Sequence, residues 1–172
     1  MPASILLAYA SISGSTQQVA ETIAAILRDA NLKVDCQPIR QVRKLDGYTA
    51  VVLGAPLYMF HWHKDALGFL SRNRQTLTTL PVAIFALGPF HADEKEFTDA
   101  RATLDKELVK FPWLSPVALE MFGGKFDPQA LHFPYNLIPA LKNMPPSDAR
   151  DWDAIRAWAN GLAARLEPAL RQ

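Results

Sequence analysis

The sequence predicts a doubly wound α/β fold, in which helices cover both faces of a five-stranded parallel sheet. Short runs that are apolar on both faces, as buried parallel strands are, alternate with stretches of helical period. This alternation favours the strand order 2-1-3-4-5, with a ligand at the switch point between the first and third strands. The predicted strands are Ile5–Tyr9, Val34–Ile39, Ala50–Leu53, Val82–Leu87 and Val117–Phe122.

Apolar side chains at helical spacing predict the helices between these strands. A shorter helix is predicted from Lys64 to about Asn73. The three longer stripes are Val19, Ile23, Leu27 and Ala30; Phe97, Leu104, Leu108 and Phe111; and Trp152, Ile155, Ala159, Leu162 and Leu166.

Length and composition predict one domain and exclude several classes of partner. A chain of 172 residues without repeats or linkers fits a single domain over residues 1–172. The net charge of +1 provides no electrostatic case for nucleic-acid binding. A single cysteine, Cys36, and an N-terminus that enters a strand directly favour a cytoplasmic location. No apolar run is long enough to span a bilayer.

A hydroxyl-rich loop follows the first strand and leads into the first helix. It lacks the lysine of a triphosphate-binding loop and the glycines of a dinucleotide fingerprint. Backbone N–H groups and hydroxyls converging at a helix N-terminus can hold a phosphate, although a serine-rich turn can also simply cap a helix. The residues predicted to bind phosphate are Ser11, Ser13, Gly14, Ser15 and Thr16.

This loop resembles the phosphate loop of the flavodoxin-domain family. Tyr9 precedes the first hydroxyl by two residues, Ser11–Thr16 matches the pattern [ST]-x-x-G-x-T, and Ala20 follows four residues later. Ala8 departs from the larger apolar residue that is usual there. The resemblance implies a flavodoxin-like fold and FMN as the cofactor.

The switch-point rule predicts that further loops converge on the same edge of the sheet. These are Ala55–His63 and Leu87–Lys95, with Gly123–Gln129 at the border of the sheet. Exposed loop aromatics are costly unless they cover an apolar surface, so some should stack on a flavin while others fold inward. The residues predicted to flank the ring are Pro56, Leu57, Tyr58, Gly88, Pro89 and Phe90.

Three histidines and a tryptophan on these loops are predicted to contact substrate: His61, Trp62, His63 and His91. Grouped imidazoles can also bind a transition metal. No cysteine or carboxylate nearby stands at ligand spacing, so no metal site is predicted.

Three further motifs narrow the resemblance to flavoproteins similar to menaquinone-dependent protoporphyrinogen dehydrogenases. They are Gly54 with His61-Trp-His63, the run Phe122–Asp127, and the run Asp148–Trp158. The resemblance implies an FMN-dependent oxidoreductase that oxidises a small molecule and passes electrons to a quinone or another acceptor. A balance of 18 basic and 17 acidic residues favours an enzyme over the usually acidic electron carriers. A non-enzymatic flavodoxin-type carrier and a binding module without flavin remain the alternatives.

The apolar segment 129–144 interrupts the path from the last strand to the last helix. Pro134 and Pro139 limit helix formation within it. It is predicted to be either a lid or contact surface for a quinone, a membrane or a second subunit, or a packed excursion over the sheet edge. Because Lys142 is the only Lys or Arg in this segment, membrane contact is expected to be at most peripheral, at the inner membrane face.

Overall fold

A parallel β-sheet forms the centre of the protein. The computed structural model describes residues 4–58, 60–131, 133 and 135–170. The order β2-β1-β3-β5-β6 confirms the predicted arrangement of the five long strands, because β4 is only a short strand paired with β3. The long strands are β1 (Ser4–Tyr9), β2 (Lys33–Pro38), β3 (Tyr48–Tyr58), β5 (Val82–Leu87) and β6 (Ala118–Phe122). The short strands are β4 (His61–Trp62), β7 (Lys125–Phe126) and β8 (Ser147–Asp148), of which β7 and β8 form a separate ribbon.

Helices pack on both faces of this sheet, as predicted. Their bounds are α1 (Ser15–Asp29), α2 (Lys64–Arg72), α3 (Arg74–Leu77), α4 (Glu94–Leu108), α5 (Pro139–Lys142) and α6 (Trp152–Leu170). The apolar stripes of α1 and α6 pack on one face and those of α2 and α4 on the other. Phe111, predicted within the α4 stripe, lies beyond the end of that helix but is still buried.

Alternate residues of β1 point to the two faces, and both sets are fully buried. Ile5 and Leu7 pack with α1 and α6, whereas Leu6 and Ala8 pack with α2 and α4. Burial of one such leucine or isoleucine contributes about 1.5–3 kcal/mol to the hydrophobic free energy. Both layers of helix are therefore needed to keep the sheet out of water.

The predicted loop Ala55–His63 is largely β-structure, which corrects its assignment as a loop. β3 continues to Tyr58, and β4 returns antiparallel, with Leu57 opposite Trp62. The indole Nε1 of Trp62 donates a hydrogen bond of 2.9 Å to the carbonyl of Ala55. Gly54 and Pro56 are residue types depleted in strands, which is why the sequence alone indicated an earlier end to β3.

The segment 129–144 forms short helical turns rather than one helix. The turns are Pro128–Ala130, Tyr135–Leu137 and α5; His132 and Pro134 lie outside the described residues. The ring of Tyr135 packs edge-on against Tyr58, with centroids 5.0 Å apart. The segment is thus attached to the end of β3 while it exposes other apolar side chains. Within the described part of the chain, no helix has the length and apolarity needed to cross a membrane.

Candidate functional site

The loops at the carboxyl ends of the strands contact one another in sequence around the sheet edge. A Cβ added to Gly88 after β5 would lie 3.5 Å from Leu57 of β3. The N–H of Gly124, after β6, donates a hydrogen bond of 2.6 Å to the carbonyl of Pro89. Ala149, beside β8, donates a hydrogen bond of 2.9 Å to Gly124. The loop after β6, predicted at the border, is therefore part of the same arc.

The loop between β1 and α1 has the geometry of an anion site. Gly14 adopts φ 92°, a left-handed conformation that side-chain-bearing residues disfavour, and it stands immediately before the first helical residue. The N–H of Gly14 donates a hydrogen bond of 2.8 Å to Ser11 Oγ, so the Ser11 hydroxyl keeps its own proton for a ligand. The first N–H groups of α1 have no intrahelical acceptors, and no acidic residue occupies its first turn.

Thr16 provides the most direct indication of a ligand site. Its side chain is completely buried, yet its hydroxyl Oγ1 has no hydrogen-bond partner. An unsatisfied buried hydroxyl costs about 1–3 kcal/mol, so native proteins rarely retain one without a use for it. The hydroxyl lies in the first turn of α1, where an anion accepts hydrogen bonds from the helix N-terminus. These residues fit a phosphate group.

Arg150 lies against the same helix end from the opposite end of the chain. Its Nη1 donates to Gln18 Oε1 at 2.6 Å and to the carbonyl of Ser15 at 3.4 Å. Its side chain is only 5% exposed. Arg150 stands within the run Asp148–Trp158, and the sequence alone assigns it no role. The cue that could have pointed to it is the absence of Lys and Arg before Arg28, which leaves a phosphate loop without a local cation.

The residues predicted to flank a ring lie on adjacent elements. Pro56, Leu57 and Tyr58 form the end of β3 and are half-buried. Burial raises the pKa of the Tyr58 phenol above its usual value, so it stays protonated. On the neighbouring loop, the ring of Phe90 is stacked at a tilt on Phe126, with centroids 5.3 Å apart. Gly88 and Pro89 lie between the end of β5 and Phe90; the end of β3 and the ring of Phe90 are called the two flanking walls below.

Gly88 leaves little room for a side chain. A Cβ there would lie 2.8 Å from Met121 Sδ and 3.2 Å from Ala100 Cβ. The close approach of β6 and α4 to this turn explains why glycine stands at the position, and it brings the two flanking walls together.

The four residues predicted to contact substrate have different environments. Trp62 is packed in the core and 1% exposed, which is a packing position rather than one of substrate contact. His61 and His91 have side chains that are 69% and 59% exposed. His63 is largely enclosed and caps α2, because its Nδ1 accepts a hydrogen bond of 3.1 Å from the Asp65 N–H.

A buried carboxylate orients His61. Glu107 on α4 has a side chain only 4% exposed; its Oε1 lies 3.2 Å from His61 Nδ1 and 3.0 Å from Lys110 Nζ. Burial opposes ionisation of Glu107, but the hydrogen bonds with Lys110 and His61 outweigh it and hold its pKa below the usual value. The ionised carboxylate accepts a hydrogen bond from the Nδ1–H of His61, which leaves Nε2 as the nitrogen that can meet a ligand.

Because His63 caps α2 and is largely enclosed, we expect the free energy of unfolding to decrease towards acid pH. Burial lowers the pKa of His63, so below about pH 6.5 the unfolded chain takes up this proton more readily than the folded protein. The stabilisation is present above that pH and is lost as the pH falls. We expect the free energy of unfolding in urea to decrease more between about pH 7.5 and about pH 5.5 in the wild type than in His63→Asn, which caps without titrating. Equal decreases in the two proteins would contradict this role.

The remaining polar residues do not favour metal binding or thiol chemistry. Among the described residues, no group of three or more His, Cys, Asp or Glu side chains is arranged to hold a metal ion. Burial raises the pKa of the Cys36 thiol to about 11, which keeps it protonated and a poor nucleophile.

Comparison with known proteins agrees with the fold described above. A profile of the flavodoxin domain matches residues 6–138. Protoporphyrinogen IX dehydrogenase [quinone] from Escherichia coli is 20% identical over 169 residues, which cover 92% of this chain and 93% of the relative. The protein of the same name from Leishmania major is 24% identical over 172 residues, which cover 92% of this chain and 74% of the relative. Oxidised flavodoxin 1 from Bacillus cereus superposes with a TM-score of 0.59 at 17% identity, over 96% of this chain and 98% of that structure.

Proposed function

The chain belongs to the flavodoxin-domain family, and on this premise we propose that it binds FMN and acts as an oxidoreductase. The observation that carries the proposal is the buried, unpartnered hydroxyl of Thr16 in the first turn of α1. A phosphate monoester is the ligand that would satisfy it together with the neighbouring N–H groups. The residues that would hold the phosphate are Ser11, Ser13, Gly14, Ser15 and Thr16.

The isoalloxazine ring of FMN would lie between the end of β3 and the loop after β5. The flanking residues would be Pro56, Leu57, Tyr58, Gly88, Pro89 and Phe90. When bound, FMN supplies the redox chemistry by accepting a hydride and releasing electrons to an acceptor. The protein would bind the phosphate, orient the ring and exclude water from it. His61 and His91 are the exposed polar side chains that we propose for substrate contact.

The surface near this site favours an apolar substrate or acceptor. Seven large apolar side chains are exposed among the described residues, and five of them lie between β3 and β4, in the loop after β5 or in the segment 129–144. These five are Phe60, Phe90, Phe133, Leu137 and Ile138. Apolar surface at the edge of a site is suited to a flat hydrophobic molecule, and the charge balance lacks the acidity that steers an electron carrier to its partner. We therefore propose a porphyrinogen as the substrate and a quinone as the acceptor, as in the names of the relatives.

The visible spectrum of the purified protein, before and after addition of FMN, tests the cofactor. We expect flavin absorption bands that persist through gel filtration. A colourless protein that takes up no FMN would exclude both the enzyme and the electron carrier and would leave a binding module.

If FMN binds, the oxidation of protoporphyrinogen IX with menaquinone tests the reaction. We expect formation of protoporphyrin IX at a rate well above that of protein-free controls and dependent on the quinone. Failure of this turnover, together with rapid electron exchange with a flavodoxin reductase, would identify an electron carrier instead.

A further inference from the structure

We propose that Arg150 is the cationic positioning residue of the phosphate loop and makes the site selective for phosphorylated flavin over riboflavin. The inference rests on the proposed function, because it concerns the same site. It assigns a role to a residue outside the phosphate motif and far from that motif along the chain.

The contacts of Arg150 place its guanidinium at the first turn of α1. Nη1 donates to Gln18 Oε1 at 2.6 Å and to the Ser15 carbonyl at 3.4 Å, and Ser15 directly precedes Thr16. The guanidinium therefore helps to fix the turn that presents the Thr16 hydroxyl and the free N–H groups. A loop that is ordered before the ligand arrives loses less conformational entropy on binding.

The opposite edge of the guanidinium is held by Asp148. Nε and Nη2 donate bidentate hydrogen bonds of 2.9 Å to its two carboxylate oxygens. These bonds hold the pKa of Asp148 below its usual value. The guanidinium carbon lies 4.9 Å from the centroid of the Trp152 ring. With these contacts, the guanidinium plane has one orientation, and Nη1 is directed to α1.

The electrostatic need for this cation is visible in the sequence. Residues 1–27 contain no Lys or Arg, whereas a phosphate monoester carries about two negative charges at neutral pH. The dipole of α1 provides only about half a positive charge. Arg150 is 5% exposed, so its field is screened less than that of a surface cation, whereas the side chain of Asp148 is 41% exposed and more fully hydrated. The net effect at the loop favours a charged ligand.

Titration of the apoprotein with FMN and with riboflavin tests the proposal. We expect Arg150→Gln to weaken FMN binding about tenfold and to leave riboflavin binding unchanged, because only FMN carries the phosphate. Arg165→Gln is the matched control on α6, since Arg165 Nη1 donates to the Val117 carbonyl at 3.1 Å. This control should bind both ligands like the wild type.

Two other results of the titration would overturn the proposed role of Arg150. An equal loss of FMN and riboflavin affinity would assign Arg150 a purely structural role, and unchanged FMN affinity would remove it from the site; either result overturns the proposal. Should Arg150→Gln not fold, Arg150→Lys becomes the test variant, because lysine keeps the positive charge but cannot bind Asp148 in bidentate fashion and Gln18 at the same time. It should lose part of the preference for FMN, and a preference equal to that of the wild type would overturn the proposal.

A failure of FMN binding and a failure of the Arg150 role give different results. If the wild type binds no FMN, the FMN assignment fails, and inorganic phosphate followed by ³¹P NMR becomes the probe. Phosphate binding that weakens in Arg150→Gln would still support the role of Arg150. Absence of phosphate binding by the wild type would overturn it together with the FMN site.

Discussion

Replacement of Gly54 by alanine is expected to lower the free energy of unfolding by roughly 3 kcal/mol or more. Gly54 lies in β3, opposite Tyr9 of β1 and Phe85 of β5. A Cβ at this position would overlap the Phe85 ring, which packs between Phe122 and Trp158 with centroids 6.4 and 6.0 Å away. Because that ring is fully buried among other rings, it has no empty space into which to move.

Urea unfolding monitored by circular dichroism would measure this effect. Gly161→Ala is the matched control, since Gly161 is exposed within α6 and a Cβ there would meet nothing within 4 Å. It should stabilise the protein by about 0.5–1 kcal/mol through helix propensity. The double variant Gly54→Ala, Phe85→Leu should recover part of the loss, because the smaller side chain makes room for the methyl group. A Gly54→Ala protein as stable as the wild type would contradict the packing described.

Replacement of Thr16 by valine is expected to weaken FMN binding and to leave the apoprotein at least as stable as the wild type. Valine has the shape of threonine without the hydroxyl, so it removes an unsatisfied buried group from the apoprotein and a hydrogen-bond donor from the complex. The expected loss of binding is roughly 1–3 kcal/mol, or about 5- to 150-fold in the dissociation constant.

Fluorescence titration of the wild type and of Thr16→Val with FMN would measure the change in affinity. Thermal unfolding of the two apoproteins would measure the change in stability. Thr22→Val is the matched control on the same helix, because the Thr22 hydroxyl already donates to the Gln18 carbonyl at 2.9 Å. It should bind FMN like the wild type. Unchanged affinity in Thr16→Val would remove Thr16 from the proposed phosphate site, whereas a marked loss of apoprotein stability would mean that its hydroxyl has a structural partner.

Local patterns predicted the long strands because their physical cause is local. Ile5 to Ala8 are apolar at every position, a pattern typical of a strand buried on both faces of a sheet, and all four residues are fully buried. The bounds of β3 were less accessible to sequence analysis, since its last residues are stabilised by pairing with β4 rather than by their own propensity.

The histidines show the same limit at the level of single residues. His61 and His63 are two positions apart and were predicted to share one role. In the structure, His61 is hydrogen-bonded to Glu107 on α4, whereas His63 accepts a hydrogen bond from the N–H of Asp65 at the start of α2. Each role depends on which helix lies beside the side chain, and sequence spacing contains no information about that.

The sequence by itself determined the fold class and the hydroxyl loop, because periodicity, strand length and turn chemistry arise from interactions between near neighbours in the chain. The rules for connecting alternating strands and helices then indicated the strand order. Only the tertiary structure decided that Trp62 belongs to the core, that Gly54 must leave space for Phe85, and that Arg150 reaches the first turn of α1. These three relations depend on how close residues distant in sequence come in the folded chain, and packing of the whole sheet with its helices sets those distances.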